Sequence, residues 1–367
     1  MKPVSPPPAP PFERYAAALA ALPADERSRP LGLLDLDAFR ANAAALHARA
    51  GAVPVRVASK SVRIRRAITE ALDQPGFTGI MAYSLTEALW WVESGRTDVL
   101  VAYPTTDEAA LTAWLPLRRL RVGALRSAVR TPEQARALAE RITRTPGLRL
   151  SGLLAYEGQV AGVPGGSGPR AAAIRLVKSR SIRDLSSRRP AIVAAVRAAA
   201  RAAGADLDFV NGGGTGSVES TVAEGAVTEI GAGSGLMGPA SFDGFRGLGL
   251  RPASCFTRPV VRRPAADVVT VAGGGWIASG VPGADRSPMV AWPAGLSYSS
   301  QEGAGEVQTP LRGRAAAGLR LGDPVFFRHA KAGEPAEHLH AVAVYSRGED
   351  AIVDLWLTYR GEGRMLS

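Results

Sequence analysis

Through its first two thirds the chain alternates short apolar runs with amphipathic stretches. That alternation restricts it to a parallel sheet covered by helices, as a barrel or a doubly wound sheet. LGLLDLD (31–37), VPVRVASK (53–60), FTGIMAY (77–83), DVLVAYP (98–104) and LRLSGLLAY (148–156) read as strands. So do the segments leading into glycine loops at 206–217 and 226–235. Helices are expected after Asp37 as N-cap, over 64–72, over 84–95, over 130–142 and over 190–204. Ser84 with Glu87 forms a capping box, Gly95 stops that helix, and Thr131 with Pro132 starts the next.

Strand-like segments at 54–58, 78–82, 98–102, 149–155, 207–210 and 226–230 fall short of the eight that close a barrel of this type. The stretch 105–148 holds only a weak strand, RLRVGAL (119–125), although a strand-plus-helix unit takes about 30 residues. LGLLDLD either adds a barrel strand or belongs to a second domain. Beyond residue 250 the texture turns to β-rich segments split by Gly, Pro and charged turns. The expected fold class is therefore α/β. A shortened (β/α) TIM-type barrel spans 31–250 and a mainly β domain spans 251–367. A Pro-rich tail and N-terminal helix precede them over 1–30.

Composition narrows the chemistry. Apolar residues make up 46% and charged residues 21%, as in a folded globular chain. The formal charge is +11, from 44 basic and 33 acidic side chains. Lysine occurs only at Lys2, Lys60, Lys178 and Lys331, and every other basic residue is arginine. The basic stretch Arg170, Arg175, Lys178, Arg180, Arg183, Arg188 and Arg189 lacks interleaved aromatics and reads as a solvated face, so no nucleic-acid partner is expected. The lone Cys255 excludes an internal disulfide framework or a multi-cysteine metal site. No apolar run reaches membrane length, and MKPVSPPPAPP has no apolar signal core, so a cytoplasmic protein with no membrane partner is expected.

Two features carry chemistry. The loops Asn211–Ser217 and Gly231–Gly235 each follow a strand, and glycine backbone with a hydroxyl neighbour suits an anion. Lys60 ends an apolar strand in a chain that otherwise uses arginine. An amine there can form a Schiff base, which a guanidinium cannot.

Together these segments resemble the fold type III (alanine racemase-type barrel) pyridoxal-phosphate enzymes, most of all the D-threonine aldolase and D-serine dehydratase group. The resemblance rests on VRVASKS, on GIMAYSLTEALWWVESGRTDVLVAYP, on LSGLLAYEGQ, and on VNGGGTGS with TEIGAGSG, over about two thirds of the chain. It implies that Lys60 is the Schiff-base lysine and that Tyr156 lies near cofactor or substrate. Gly214, Thr215 and Gly216, with Gly233, Ser234 and Gly235, would hold the phosphate, and Arg126 would face the pyridine nitrogen. It further implies a homodimer acting on a small amino acid, as an aldolase or lyase on a D-β-hydroxy amino acid. The alternatives are a D-amino acid dehydratase/deaminase and a non-catalytic pyridoxal-phosphate binder.

The chain departs from the family's pattern in three places. Gln159 stands where the aldolases have a histidine. The stretch 105–148 is short. His329-Ala330-Lys331 stands where metal-dependent relatives have His-x-Asp or His-x-Cys, so His329 is the one match to the metal motif and no metal is expected. Lys331 is the candidate to take the metal's place, with its amine near the substrate. His338 and His340, two apart, are expected to share one face of a strand.

Overall fold

Two sheets carry the fold in a computed structural model that describes residues 8–107, 109, 121–122, 129, 131–157, 169–245, 247–280 and 283–366. By contacts the chain divides into two units. One comprises Met1–Ala43, Ser61–Glu70 and Ser234–Met365; the other comprises Ala44–Lys60, Ala71–Gly233 and Leu366–Ser367.

The first unit holds β1 (Leu31–Asp35), β9 (Ser254–Ala265), β10 (Val268–Ala272), β11 (Met289–Trp292), β12 (Ser297–Tyr298), β13 (Gln308–Arg312), β14 (Pro324–Arg328), β15 (Ala341–Ser346) and β16 (Ala351–Leu357). The second holds β2 (Val55–Ala58), β3 (Phe77–Ala82), β4 (Val99–Val101), β5 (Arg121–Val122), β6 (Gly152–Ala155), β7 (Phe209–Gly212) and β8 (Glu229–Ala232).

In the second unit the strands run parallel in the order β5-β4-β3-β2-β8-β7-β6. The last strand in sequence, β8, pairs with the first, β2, Val55 lying opposite Ile230. This is a curled, TIM-like half-barrel: six strands and the two-residue β5. Among the described residues β5 and β6 do not pair, so the sheet is open there. The stretch 105–148, where the strand deficit is anticipated, lies partly outside the described residues.

Strands β2, β4, β7 and β8 are buried along their whole length, which explains their unbroken apolar character. Val55, Val210, Val227 and Ile230 pack with Leu46 and Ala50 of the helix Leu36–Ala50 and with Val193 of the helix Pro169–Ala202. The latter runs through Pro190, where the sequence placed its start. An i,i+4 ion pair, Arg188 to Asp184 at 2.6 Å, spans the turn before the proline. Alanines 135 and 139 of the helix Pro132–Arg144 pack with Val196, Ala199 and Ala200, small side chains that admit close helix approach.

Arg56 on β2 is 2% exposed. Its Nε and Nη2 donate to Glu229 at 2.8 Å each, and its Nη1 and Nη2 donate to Asp98 at 3.0 and 3.2 Å. Asn211 donates to the same Glu229 at 3.0 Å. Gly79 makes room for this cluster. It adopts φ +41°, and a Cβ there would lie 2.0 Å from Arg56 Nη1. The β2–β3 register shifts at this point, leaving Gly79 between Thr78 and Ile80 without a partner on β2.

In the first unit the main path is β12-β13-β10-β9-β1-β15-β16, with β14 joining β9 to β11. Strand β1 pairs in parallel with β15 and antiparallel with β9. It therefore lies in the sheet of the first unit, the second of the two placements open to LGLLDLD. The reason is physical. All five residues of β1 are buried, and Leu33 packs with Phe12, Tyr15, Phe326 and Tyr345. The cap of the following helix shifts too. Asp35, not Asp37, accepts the Ala38 N–H at 2.8 Å, and the buried carboxylate also takes the Tyr15 hydroxyl and the Arg347 guanidinium. Among the described residues no helix is long and apolar enough to cross a membrane.

Removing the Arg56 guanidinium would leave Glu229 buried without its counter-charge. Arg56→Met is expected to lose about 3–5 kcal/mol of stability, measured by urea unfolding, with Arg56→Lys recovering only part because it lacks the two-pronged geometry.

Candidate active site

The C-terminal ends of the half-barrel strands gather the chemistry-bearing residues. After β2 the chain enters a single 3₁₀ turn, Ser59–Ser61. Ser59 is fully buried and its hydroxyl donates to the Met81 carbonyl at 3.0 Å, fixing the turn against the end of β3. Lys60 then projects as an exposed side chain. Its Nζ donates to the Tyr103 hydroxyl at 2.7 Å and lies 5.3 Å from the centre of that ring. Tyr103 follows β4 and belongs to the Ala-Tyr-Pro segment, which the sequence reading noted without giving the tyrosine a role.

Tyr156 and Glu157 follow β6 and point to different environments. Tyr156 is 53% exposed, whereas Glu157 is 2% exposed. Glu157 accepts from Arg189 at 2.6 Å, from the Gly213 N–H at 3.2 Å, from the Ser217 hydroxyl at 2.9 Å and from the Thr221 hydroxyl. Arg189 also donates to Glu224 at 2.6 Å. Burial raises the Glu224 carboxyl above its ordinary value, Arg189 opposes the rise and Glu157 adds to it. The basic stretch that holds Arg189 reads as a solvated face, but Arg189 itself is 3% exposed. Its membership of an arginine-rich run hid the buried pairing.

The first glycine loop turns after β7 with Gly213 at φ +83°. The Gly214 N–H donates to the Ser217 hydroxyl at 3.1 Å, so this expected anion donor is engaged within the loop. Thr215 is buried, and its carbonyl accepts from Arg49 at 2.7 Å. Gly216 follows before the helix Val218–Ala223. Gly233, after β8, is the last residue of the half-barrel unit before the C-terminal pair; a Cβ there would lie 2.5 Å from the Ala58 carbonyl, so only glycine fits beside the end of β2. Ser234 and Gly235 open the helix Ser234–Met237, which the contact division assigns to the other unit. Arg126 and Gln159 lie outside the described residues.

In the β unit, His329 is buried and both its ring nitrogens face backbone groups. Nε2 lies 2.8 Å from the Trp276 carbonyl, and Nδ1 lies 2.8 Å from the Lys331 carbonyl and 3.1 Å from the Lys331 N–H. Burial lowers the His329 pKa from its ordinary value, and the backbone hydrogen bonds at Lys331 and Trp276 oppose that fall. Lys331 donates to the Ser279 hydroxyl at 2.7 Å and lies 3.5 Å from Glu334. His338 and His340 are not on a strand: His338 ends the 3₁₀ turn Glu334–Glu337 and stacks on Trp276 at 4.8 Å, and His340 lies 3.2 Å from Arg29. The metal attached to this segment by resemblance does not fit, because the histidine's nitrogens are committed to backbone and an ammonium occupies the second ligand position. Among the described residues no cluster of three His, Cys, Asp or Glu side chains could hold a metal ion.

Millimolar manganese or zinc is expected to leave the melting temperature unchanged, because a ligand stabilises only the state that binds it. A saturable rise in melting temperature would contradict it.

No protein-family model and no curated protein matches the chain. Solved structures do. D-threonine aldolase from Filomicrobium marinum aligns with a TM-score of 0.70 at 20% identity, over 90% of this chain and 95% of that one. D-threo-3-hydroxyaspartate dehydratase from Delftia sp. HT23 aligns with a TM-score of 0.61 at 20% identity, over 93% and 98%. An alanine racemase-like protein from Idiomarina loihiensis aligns with a TM-score of 0.63 at 14% identity, over 96% and 99%. The chain thus has the alanine racemase-like fold, the fold type III architecture, along nearly its whole length.

Proposed function

We propose that this chain is a pyridoxal-phosphate-dependent lyase that cleaves a D-β-hydroxy amino acid between Cα and Cβ, giving glycine and an aldehyde. The observation that carries the reading is the Lys60 amine, set at the C-terminal end of β2 and hydrogen-bonded to the Tyr103 hydroxyl at 2.7 Å.

The residues present suit the cofactor. Lys60 is a primary amine able to bond its aldehyde, and the glycine loops after β7 and β8 are shaped by contacts that exclude side chains. Thr215 and Gly216, with Gly233, would hold the phosphate. When bound, the cofactor supplies an electron sink conjugated with the substrate's Cα, so that a bond at that carbon can break. Tyr103 holds a proton at Lys60 Nζ and is placed to exchange it as the amine is released and recaptured. Tyr156, exposed beyond β6, is the side chain assigned to the substrate. A homodimer is part of the same proposal, and light scattering tests it.

A second reading, loss of the β-hydroxyl with deamination, draws support from the dehydratase among the structural neighbours. The products separate the two: glycine and an aldehyde in one case, a 2-oxo acid and ammonia in the other.

Purified protein supplied with pyridoxal phosphate is expected to be yellow, and Lys60→Ala to lose that colour. A colourless wild type would overturn the proposal. Colour without turnover on a panel of D- and L-β-hydroxy amino acids would leave a cofactor binder. Tyr103→Phe is expected to keep the colour and to lower kcat by about 10²-fold, the usual size of a general acid–base contribution.

A further inference from the structure

The carboxylate of Glu157 is buried beneath a loop assigned to an anion, a placement that needs a reason. A bare carboxylate there would repel a phosphate and would itself be costly to desolvate. Its surroundings remove both objections. Oε2 accepts from Arg189 at 2.6 Å and from the Gly213 N–H at 3.2 Å, and Oε1 accepts from the Ser217 and Thr221 hydroxyls. Four donors fill the hydrogen-bonding capacity of the group and turn it wholly towards the protein. Arg189 supplies the counter-charge at contact distance.

Two of those four donors belong to the loop itself. Gly213 is its left-handed turning residue, and Ser217 closes it. Ser217 also passes the restraint on, because its hydroxyl accepts the Gly214 N–H at 3.1 Å. The Gly213 and Gly214 N–H groups are therefore drawn inward by one carboxylate, directly or through one hydroxyl. The path of the backbone through Thr215 and Gly216 follows from that anchorage.

We propose that Glu157 is the positioning residue of the phosphate loop, setting the conformation in which residues 215–216 meet the cofactor's phosphate. The proposal rests on the cofactor reading above and adds a role that reading does not require. Glu157 touches neither substrate nor cofactor; it acts through the loop.

The test compares pyridoxal phosphate with pyridoxal, which keeps the aldehyde for Lys60 and lacks the phosphate. Dissociation constants for both are measured by absorbance titration on wild type, Glu157→Leu and Glu157→Gln, with circular dichroism to follow folding. Glu157→Leu releases the Gly213 N–H and takes from Arg189 one of its two carboxylate partners, and its affinity for pyridoxal phosphate is expected to fall about 100-fold, the loss of one or two charge-assisted hydrogen bonds. Its affinity for pyridoxal should stay near the wild-type value. In Glu157→Gln the amide oxygen can still face Gly213 and Arg189 while the two hydroxyls reverse, so a smaller fall of about fivefold is expected, again confined to the phosphorylated compound.

If Glu157→Leu does not fold, the isosteric Gln variant decides alone. An unchanged preference for pyridoxal phosphate over pyridoxal, or equal loss of both, overturns the proposal and leaves Glu157 a general packing element. A wild type that binds pyridoxal phosphate no better than pyridoxal overturns it too, although the lysine assignment then stands. A wild type that binds neither overturns the cofactor reading and this proposal with it.

Discussion

The half-barrel is held in register by a guanidinium taken out of water. A full barrel fixes its strands by ring closure, and among the described residues this sheet has no such closure between β5 and β6. Arg56 supplies a substitute. From β2 it reaches Glu229 on β8 and Asp98 at the foot of β4, crossing β3 where Gly79 has no side chain to obstruct it. Asn211 extends the same cluster to β7. Such a network tolerates little relative movement of the strands, because sliding one by a residue would leave a buried charge unpaired. Lys60 follows the opposite end of the strand that carries Arg56, so its amine inherits its position from the polar cluster below.

Much of the half-barrel was legible because parallel strands buried on both faces write themselves as apolar runs, and the capped helices between them carry local signals. Thr131 and Gln134 form a full capping box. Glu87 returns to the N–H of Tyr83, one residue before the cap it was paired with in the sequence reading. What stayed illegible were choices decided by distant partners. LGLLD is equally suited to either sheet, and only its pairing with Ala341–Tyr345 and with Ser254–Phe256 selects the β unit. Pro190 looked like a helix start because a proline usually is one, whereas tertiary packing keeps the helix going through it.

The same contrast holds at the candidate site. Lys60 was visible from its scarcity and its place at a strand end. Tyr103, Glu157 and Arg189 were not, since each draws its meaning from a partner between 32 and 43 residues away, or from a loop farther still. Glu157 could have been suspected from one local sign, a carboxylate following an apolar strand that no nearby basic residue accompanies. His329 shows the opposite error. Its motif resemblance was readable, but only the fold shows both ring nitrogens taken by backbone.

The position of β1 bears on how the chain acquires its structure. β1 and β15 are neighbours in the sheet, but they are separated by nearly the whole length of the chain. During synthesis β1 emerges early and must wait, with Leu33 and Leu34 exposed, until β9 and then β15 arrive to cover its two edges. The half-barrel strands lie between them and can assemble in the interval. One unit is thus completed inside a loop whose ends belong to the other. Loop closure of that length slows the final pairing, and it leaves an unpaired strand edge available to other chains for as long as synthesis continues.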